Sequence, residues 1–252
     1  MNRKLLLSSS FIIAGLVSAA QDANRTYAIT GDGNGDFLWM NIRQVDLGTG
    51  QVTKTLFERS KTTYVLTDAA TKKNANPITN GNIFQSTDYP TGTYVAAAAY
   101  DGNSNKLFFT PMRSGELRWM DLNGKETAQF YTIHSAELGV NPNDEATNIT
   151  RMVIGADGNG YAMSNDGNNF IMFTTGKKPV ITNLGNIIDA DNNNGTSIHN
   201  KCSSWGGDMI ADAFGKLYVI SANHNVFVID PKTRVATYKG AITGLPAGYT
   251  TN

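Results

Sequence analysis

A short β pattern recurs along the chain, and this repeat limits the fold more than any other feature. Its clearest copy lies between Gly206 and Asp230. Small and polar residues there separate runs rich in β-branched and aromatic residues, which are typical of strands. The pattern predicts three strands, at Asp208–Ala211, Leu217–Ser221 and Val226–Asp230.

The second strand of this unit has recognisable copies elsewhere. The copies are Tyr27-Ala-Ile-Thr30, Tyr161-Ala-Met-Ser164, Tyr218-Val-Ile-Ser221 and, less closely, Phe108-Phe-Thr-Pro111. The last three begin at positions 108, 161 and 218, which are 53 and 57 residues apart, whereas the first step is 81 residues. The longer first step predicts an insertion between the first two repeats.

Turns and a fourth strand complete each repeat. Asp-Gly and Asn-Gly sequences, which tolerate a positive φ, precede the second strand at Asp101 and Asp157. A polar segment such as Gln51–Phe57 or Thr233–Lys239 follows the third strand. Each repeat therefore reads as a four-stranded antiparallel meander, and several meanders must pack together to cover both faces of each sheet.

Four-stranded repeats of this length resemble the blades of a β-propeller. The phrases DGNGYAMS, from Asp157, and DAFGKLYVIS, from Asp212, are similar to those of exported bacterial propellers of the broad NHL and TolB-like group. The resemblance implies an all-β propeller domain over residues 21–252, with antiparallel blades at about 24–59, 92–132, 148–184 and 203–240. The group contains enzymes, ligand binders and scaffolds, so it implies no single activity.

Closure of the ring has two interpretations. The first blade begins at its second strand, and the tail from Ile242 to Asn252 reads as the start of a further blade. Either Leu245–Thr250 lies beside Tyr27–Thr30 and closes a ring of four blades, or the chain is a piece of a larger ring. We favour the larger ring, because propellers have four to eight blades and the tail contains no clear strand.

The insertion, residues 60–91, is rich in Thr, Asn and Lys. One interpretation is an extended connection between two blades. The other is a loop that binds a partner, because long loops in compact domains are often functional.

Residues 1–20 have the pattern of a secretory signal peptide. Arg3 and Lys4 precede the largely apolar run Leu5–Val17, and small residues at Ser18 and Ala20 suit cleavage. We therefore expect an exported protein without a membrane span after cleavage, in the periplasm or at the surface of a Gram-negative bacterium. The single cysteine, Cys202, excludes an internal disulfide and fits such a setting.

The charge balance argues against a nucleic-acid partner. Without Arg3 and Lys4 the chain has 19 basic and 21 acidic residues, a net charge of −2. Phosphate binding requires a basic patch, so we expect a protein partner in the cell envelope instead.

Two polar turns are candidate calcium sites. The first contains Asp32, Asn34 and Asp36, and the second contains Asp189 and Asp191. In each, the twelfth position lacks the glutamate of a calcium-binding EF-hand loop. We expect polar turns and no cofactor, with calcium as the alternative.

Three tryptophans from different repeats are candidate binding residues: Trp39, Trp119 and Trp205. They could form an aromatic platform for a ligand or partner, but packing between sheets is the usual role of such residues. The chain has no nucleophile elbow and no phosphate-binding glycine loop, so we assign no catalytic residue.

The sequence is consistent with two functions. The first is a non-catalytic exported binding or scaffold module, such as an accessory subunit of an outer-membrane or type IX-like secretion assembly. The second is an enzyme of the propeller lactonase or lyase type, which would hold a divalent cation in its central channel. The first is the more consistent with a near-neutral chain of structural repeats.

The predicted signal peptide can be tested directly. Because small residues at Ser18 and Ala20 follow the apolar run, we expect the exported protein to begin at Gln21 or one residue earlier. N-terminal sequencing of protein recovered from the envelope fraction measures this. An intact Met1 in that fraction would contradict the signal peptide.

Overall fold

The computed structural model describes residues 25–31, 39–58, 61–75, 90, 95–124 and 126–246. Strands make up most of the regular structure in these segments, and they form four separate sheets. The predicted all-β class is confirmed. We refer to the four sheets, in chain order, as blades 1 to 4.

Blades 1 and 2 come from the first half of the chain. Blade 1 consists of β1 (Arg25–Gly31), β2 (Trp39–Asp46) and β3 (Val52–Phe57). Blade 2 consists of β4 (Tyr64–Asp68), β5 (Val95–Asp101), β6 (Lys106–Pro111), β7 (Glu116–Asp121) and β8 (Ala128–His134).

Blades 3 and 4 come from the second half. Blade 3 consists of β9 (Ile149–Ile154), β10 (Gly160–Ser164), β11 (Phe170–Phe173) and β12 (Ile181–Gly185). Blade 4 consists of β13 (Ile188–Asp189), β14 (Asp208–Ala211), β15 (Leu217–Ile220), β16 (Asn225–Asp230) and β17 (Val235–Ala241).

Within the described segments, three short helical turns lie between strands. Two are 3-10 turns, at Ala136–Leu138 and Glu145–Thr147, and each begins with a side-chain cap, from Ser135 and Asp144 respectively. The third is the four-residue helix α1 (Lys201–Ser204), which leads into blade 4 and is capped by Asn200. None of the helices in the described segments is long and apolar enough to cross a membrane.

The four blades are arranged radially as a β-propeller, which confirms the predicted fold class. Residues 247–252, which make up most of the tail expected to close the ring or to begin a further blade, lie outside the described segments. Strand β5 of blade 2 contacts β9 of blade 3, and β9 contacts β14 of blade 4. Each of these is the first antiparallel strand of its meander and the edge strand of its sheet. These first strands therefore lie side by side at the centre, and the later strands of each meander extend outward.

Blades 2 and 4 each have a fifth strand that the repeat does not predict. Strand β4 runs parallel to β8, and β13 runs parallel to β17. Both strands lie at the outer edge of their sheet, where unpaired backbone groups would otherwise face solvent. Strand β4 falls within residues 60–91, so part of the predicted insertion completes blade 2.

Apolar side chains fill the spaces between adjacent blades. One buried cluster lies between blades 1 and 2, a second between blades 2 and 3, and a third between blades 3 and 4. Strand β6 contributes side chains to two of these clusters, because Phe108 points toward blade 3 and Phe109 toward blade 1. Successive side chains of a strand point to opposite faces, so one blade contributes to two clusters.

This packing predicts the effect of removing one aromatic ring. Phe108 is 0% exposed, and its ring centroid lies 5.7 Å from that of Trp119 and 5.3 Å from that of Phe173. We expect Phe108→Ala to lower the free energy of unfolding by about 3–5 kcal/mol, because it leaves a cavity between two blades. Chemical denaturation measures this change.

The matched control is Phe214→Ala. Phe214 is 91% exposed, so its removal should change the free energy of unfolding by no more than about 0.5 kcal/mol. Equal losses for the two variants would contradict the packing between blades 2 and 3.

Candidate functional site

A cleft of about 390 Å³ opens where the first strands of the four blades meet. Blade 1 contributes Tyr27 and Ile29, blade 2 residues 95–98, blade 3 Thr150, and blade 4 Asp208. We call this space the axial cleft. Its volume is within the range of roughly 300–1,000 Å³ that is usual for ligand pockets.

The lining of the axial cleft is mostly apolar. Aliphatic side chains and alanines form much of its wall, and Leu107 and Met112 extend it. Gly206 and Gly207 expose backbone at the blade 4 side. Among the lining residues that the structure describes, Asp208 is the one acidic side chain.

Asp208 lies at the first position of β14, and its carboxylate faces a desolvating environment. Its Oδ1 accepts a hydrogen bond of 2.7 Å from the Met209 N–H. Solvent reaches Asp208, yet surrounding protein atoms raise its pKa, while the Met209 N–H and the Arg151 charge act in the opposite direction. None of the ion pairs within the described segments includes Asp208.

Arg151 holds the chain segment that precedes Asp208. It is 0% exposed in the middle of β9, and its Nε donates to the Gly206 carbonyl at 2.9 Å. The two Nη atoms donate to the carbonyls of Ser164 and Ser204. One guanidinium therefore joins blade 3 to the residues that lead into blade 4.

Burial lowers the pKa of Arg151 to about 10, and the charges of Asp166 and Asp208 oppose this shift. The guanidinium is therefore still charged at neutral pH. Three carbonyl oxygens supply the hydrogen bonds that a buried cation requires. Arg151 is a positioning residue for the cleft wall, because it contacts the backbone of Ser204 and Gly206.

The backbone before Asp208 follows a path that requires glycine. Gly206 and Gly207 have φ values of 67° and 84°. A Cβ on Gly207 would lie 1.9 Å from the Ile220 carbonyl oxygen, so a larger residue would displace the backbone. Asp208 is thereby placed beside the cleft at the start of β14, where it pairs with Ile220 of β15.

A small polar network supports the same corner of the cleft. The Thr150 hydroxyl donates to Asn165 Oδ1 at 2.9 Å, and the Gly206 N–H donates to the same oxygen at 3.2 Å. Asn165 follows β10 directly, so this network is a second link between blades 3 and 4 beside Arg151.

A second cleft, of about 400 Å³, lies between turns of blades 3 and 4. Its charged groups contact one another. Lys216 Nζ lies 2.5 Å from Asp230 Oδ2, and the Tyr161 hydroxyl donates to Asp157 at 2.8 Å. The axial cleft is the better candidate, because its carboxylate is not paired with any basic side chain of the described residues.

The three tryptophans have separate positions. Trp119 lies in the cluster between blades 2 and 3, is 1% exposed, and stacks on Tyr131 with a centroid distance of 5.4 Å. Trp205 donates from Nε1 to the His199 carbonyl at 3.1 Å, beneath the Lys201 ammonium. The Trp39 backbone belongs to β2, and its side chain lies outside the described part of the structure. None of them is among the residues that line the described cleft.

The second calcium candidate organises a loop. Asp189 Oδ1 accepts from the Ile198 N–H at 2.9 Å, and Oδ2 accepts from the Ser197 hydroxyl at 2.5 Å. Asp191 is exposed two residues further on. Both oxygens of Asp189 already have donors, and these contacts connect β13 to the segment that precedes α1.

The first calcium candidate, Asp32, Asn34 and Asp36, lies outside the described residues. In the described segments, no three His, Cys, Asp or Glu side chains are grouped so that they could hold a metal ion. The expectation of polar turns without a cofactor stays a prediction from the sequence alone, and so does its alternative, calcium binding by an enzyme that uses a divalent cation.

Asp208 and Arg151 are not among the site residues predicted from the sequence. The sequence does contain an indication for Arg151, because it is a charged residue within the otherwise apolar and β-branched strand Ile149–Ile154. Asp208 follows two glycines at the start of a predicted strand, which is typical of a turn as well. Only the position of β14 beside β9 places it in a cleft.

No protein-family model matches the chain, and no curated protein matches it. Similar solved structures include the β-propeller domain of Myceliophteria thermophila Cps50 (Swd1), 11% identical over 81% of this chain and 50% of that chain, with a TM-score of 0.38. Virginiamycin B lyase from Staphylococcus aureus is 12% identical over 82% of this chain and 51% of that chain, with a TM-score of 0.43.

A streptogramin B lyase structure is 13% identical over 87% of this chain and 70% of that chain, with a TM-score of 0.41. The chain spans about half the length of the Cps50 and virginiamycin B lyase structures.

The raised pKa of Asp208 predicts a pH-dependent effect of its removal. The folded state holds the Asp208 proton more tightly than the unfolded state. The contribution of Asp208 to the free energy of unfolding therefore decreases as the pH rises through the two pKa values. We expect the free energy of unfolding of Asp208→Asn, relative to the parent protein, to increase between about pH 3 and pH 7. Urea unfolding across this range measures the difference.

Asp212→Asn is the matched control with the opposite sign. Hydrogen bonds, first from the Lys216 N–H, lower the Asp212 pKa, so the parent protein gains stability from Asp212 as the pH rises. The relative stability of Asp212→Asn should therefore fall over the same range. Parallel curves for the two variants would contradict the raised pKa of Asp208.

Proposed function

We propose that the protein is a non-catalytic, exported binding module that holds a protein partner in its axial cleft. The observation that carries this proposal is the cleft itself, an apolar space of about 390 Å³ at the meeting point of four blades. Burial of apolar surface is the main favourable term in most protein association.

The cleft also offers a means of specificity. Apolar walls with a few placed polar groups are the usual composition of binding sites, because the polar groups orient the ligand. Here Asp208 supplies the charge, and Arg151 holds the adjoining wall through the Gly206 carbonyl. The wall needs little rearrangement on binding, which lowers the entropic cost of association.

The proposed setting is the cell envelope of a Gram-negative bacterium. The sequence pattern of residues 1–20 supports export, and the near-neutral charge supports a protein partner over a nucleic acid. Within the envelope, the module would be an accessory subunit of an outer-membrane or type IX-like secretion assembly. A propeller suits this role because its blades present a stable scaffold for partner proteins.

Site-specific cross-linking tests the proposal. Ala98, which lines the cleft, is replaced by p-benzoylphenylalanine in the full chain, and living cells are irradiated before fractionation. We expect a covalent adduct with one envelope protein, reproducible between cultures, because the partner lies in the cleft. Mass spectrometry of the adduct identifies it.

The matched control places the same cross-linker at Leu47, which is 62% exposed at the turn after β2 and does not line the cleft. This position should give no adduct with that protein. Recovery of the protein in the cytoplasmic fraction, or the absence of a cleft-dependent adduct, would contradict the proposed function.

A further inference from the structure

The wall of the axial cleft on the blade 2 side consists of four successive residues, 95–98. Successive side chains of a strand point to opposite faces of the sheet. Four consecutive residues of one strand can therefore line the same cleft only where the edge of that strand, with its backbone groups, faces the cleft. Strand β5 is an edge strand of blade 2, and among the described strands it is hydrogen-bonded to β6.

An edge strand presents backbone N–H and C=O groups to whatever lies beside it. The side chains at this edge are small, because residues 96–98 are all alanine. Another chain could therefore approach to the spacing of about 4.8 Å that neighbouring strands require. Gly206 and Gly207 present further backbone on the opposite side of the cleft.

Asp208 adds a negative charge to this backbone wall. Its carboxylate lines the cleft and accepts a hydrogen bond from the Met209 N–H, and no basic side chain of the described residues forms an ion pair with it. The nearby cation, Arg151, instead donates to three carbonyl oxygens. A positive group from outside could therefore reach this solvent-accessible carboxylate without displacing a basic side chain of the described residues.

We propose that the axial cleft binds an extended peptide segment of a partner protein, which pairs with the edge of β5 and directs a lysine or arginine side chain to Asp208. This proposal deepens the proposed function and rests on it. Residues 95–98 offer about 13 Å of strand edge, at roughly 3.3 Å per residue, so the bound segment has about four residues in contact.

Backbone pairing and the side-chain anchor have separate roles. In β-strand addition, the main-chain hydrogen bonds supply affinity for any extended segment, and pockets for individual side chains supply specificity. The alanines of β5 leave room for alternate apolar side chains of the segment, while Asp208 selects the sign of one charge. The segment should therefore alternate apolar residues with a basic residue at one fixed position.

A displayed library of random seven-residue peptides, selected on the full chain, tests this specificity. We expect enrichment of β-branched and apolar residues around one lysine or arginine at a constant position. Against Asp208→Asn the preference for a basic residue should disappear, and against Asp208→Lys it should change to an acidic residue. Glu126→Gln, which alters an exposed acid away from the cleft, should leave the preference unchanged.

The enriched peptide then tests the geometry. Replacing its basic residue by norleucine should weaken binding about tenfold or more in the parent protein and not in Asp208→Asn. Methylation of alternate backbone nitrogens should abolish binding, because it removes the donors that pair with β5. Thermal unfolding of each protein variant confirms that it is folded.

Several outcomes would overturn the inference. These are no enrichment, enrichment without a basic residue, the same basic preference on Asp208→Asn, and tolerance of backbone methylation. A cross-link from position 98 to residues 247–252 of the same chain would also overturn it, because the chain's own segment would then occupy the cleft. If only the peptide results fail, while the envelope adduct at position 98 persists, the proposed function stands without this inference.

Discussion

Packing of one sheet against the next is the constraint on which this structure depends. Every described blade has at least one face covered by a neighbour, and blade 2 uses both faces, with Phe108 on one side and Phe109 on the other. Because the sheets are held face to face, their first strands must converge at the centre. The axial cleft follows from that convergence and not from any single motif.

Polar contacts then determine which side chains line the axial cleft at the centre of the propeller. Arg151 is buried at large cost in solvation, and its hydrogen bonds to Gly206 and Ser204 offset that cost while they fix the entry to blade 4. The glycines at 206 and 207 allow the chain to pass close to Ile220. Together these contacts bring Asp208 to the cleft, so the candidate site depends on a buried cation that does not itself line it.

Local sequence patterns predicted the antiparallel strands of the blades well and the parallel strands at their outer edges poorly. The predicted strands of the last repeat agree with β14, β15 and β16 to within one residue at each end. Strand β4, in contrast, lies in the segment predicted to be an extended connection or a partner-binding loop, although Tyr64–Asp68 is rich in β-forming residues. Its parallel pairing with β8 joins residues about 64 positions apart, and a local sequence pattern cannot predict a pairing over that distance.

The sequence by itself determined the all-β class, the repeated meander and the positions of most strands, because alternation and turn chemistry act between residues that are close in the chain. Only the tertiary structure decided that Asp208, Thr150 and the alanines of β5 share one cleft, and that Arg151 is buried behind it. These residues come from three blades and are brought together by sheet packing. Their chemistry therefore depends on long-range contacts that strand patterns do not encode.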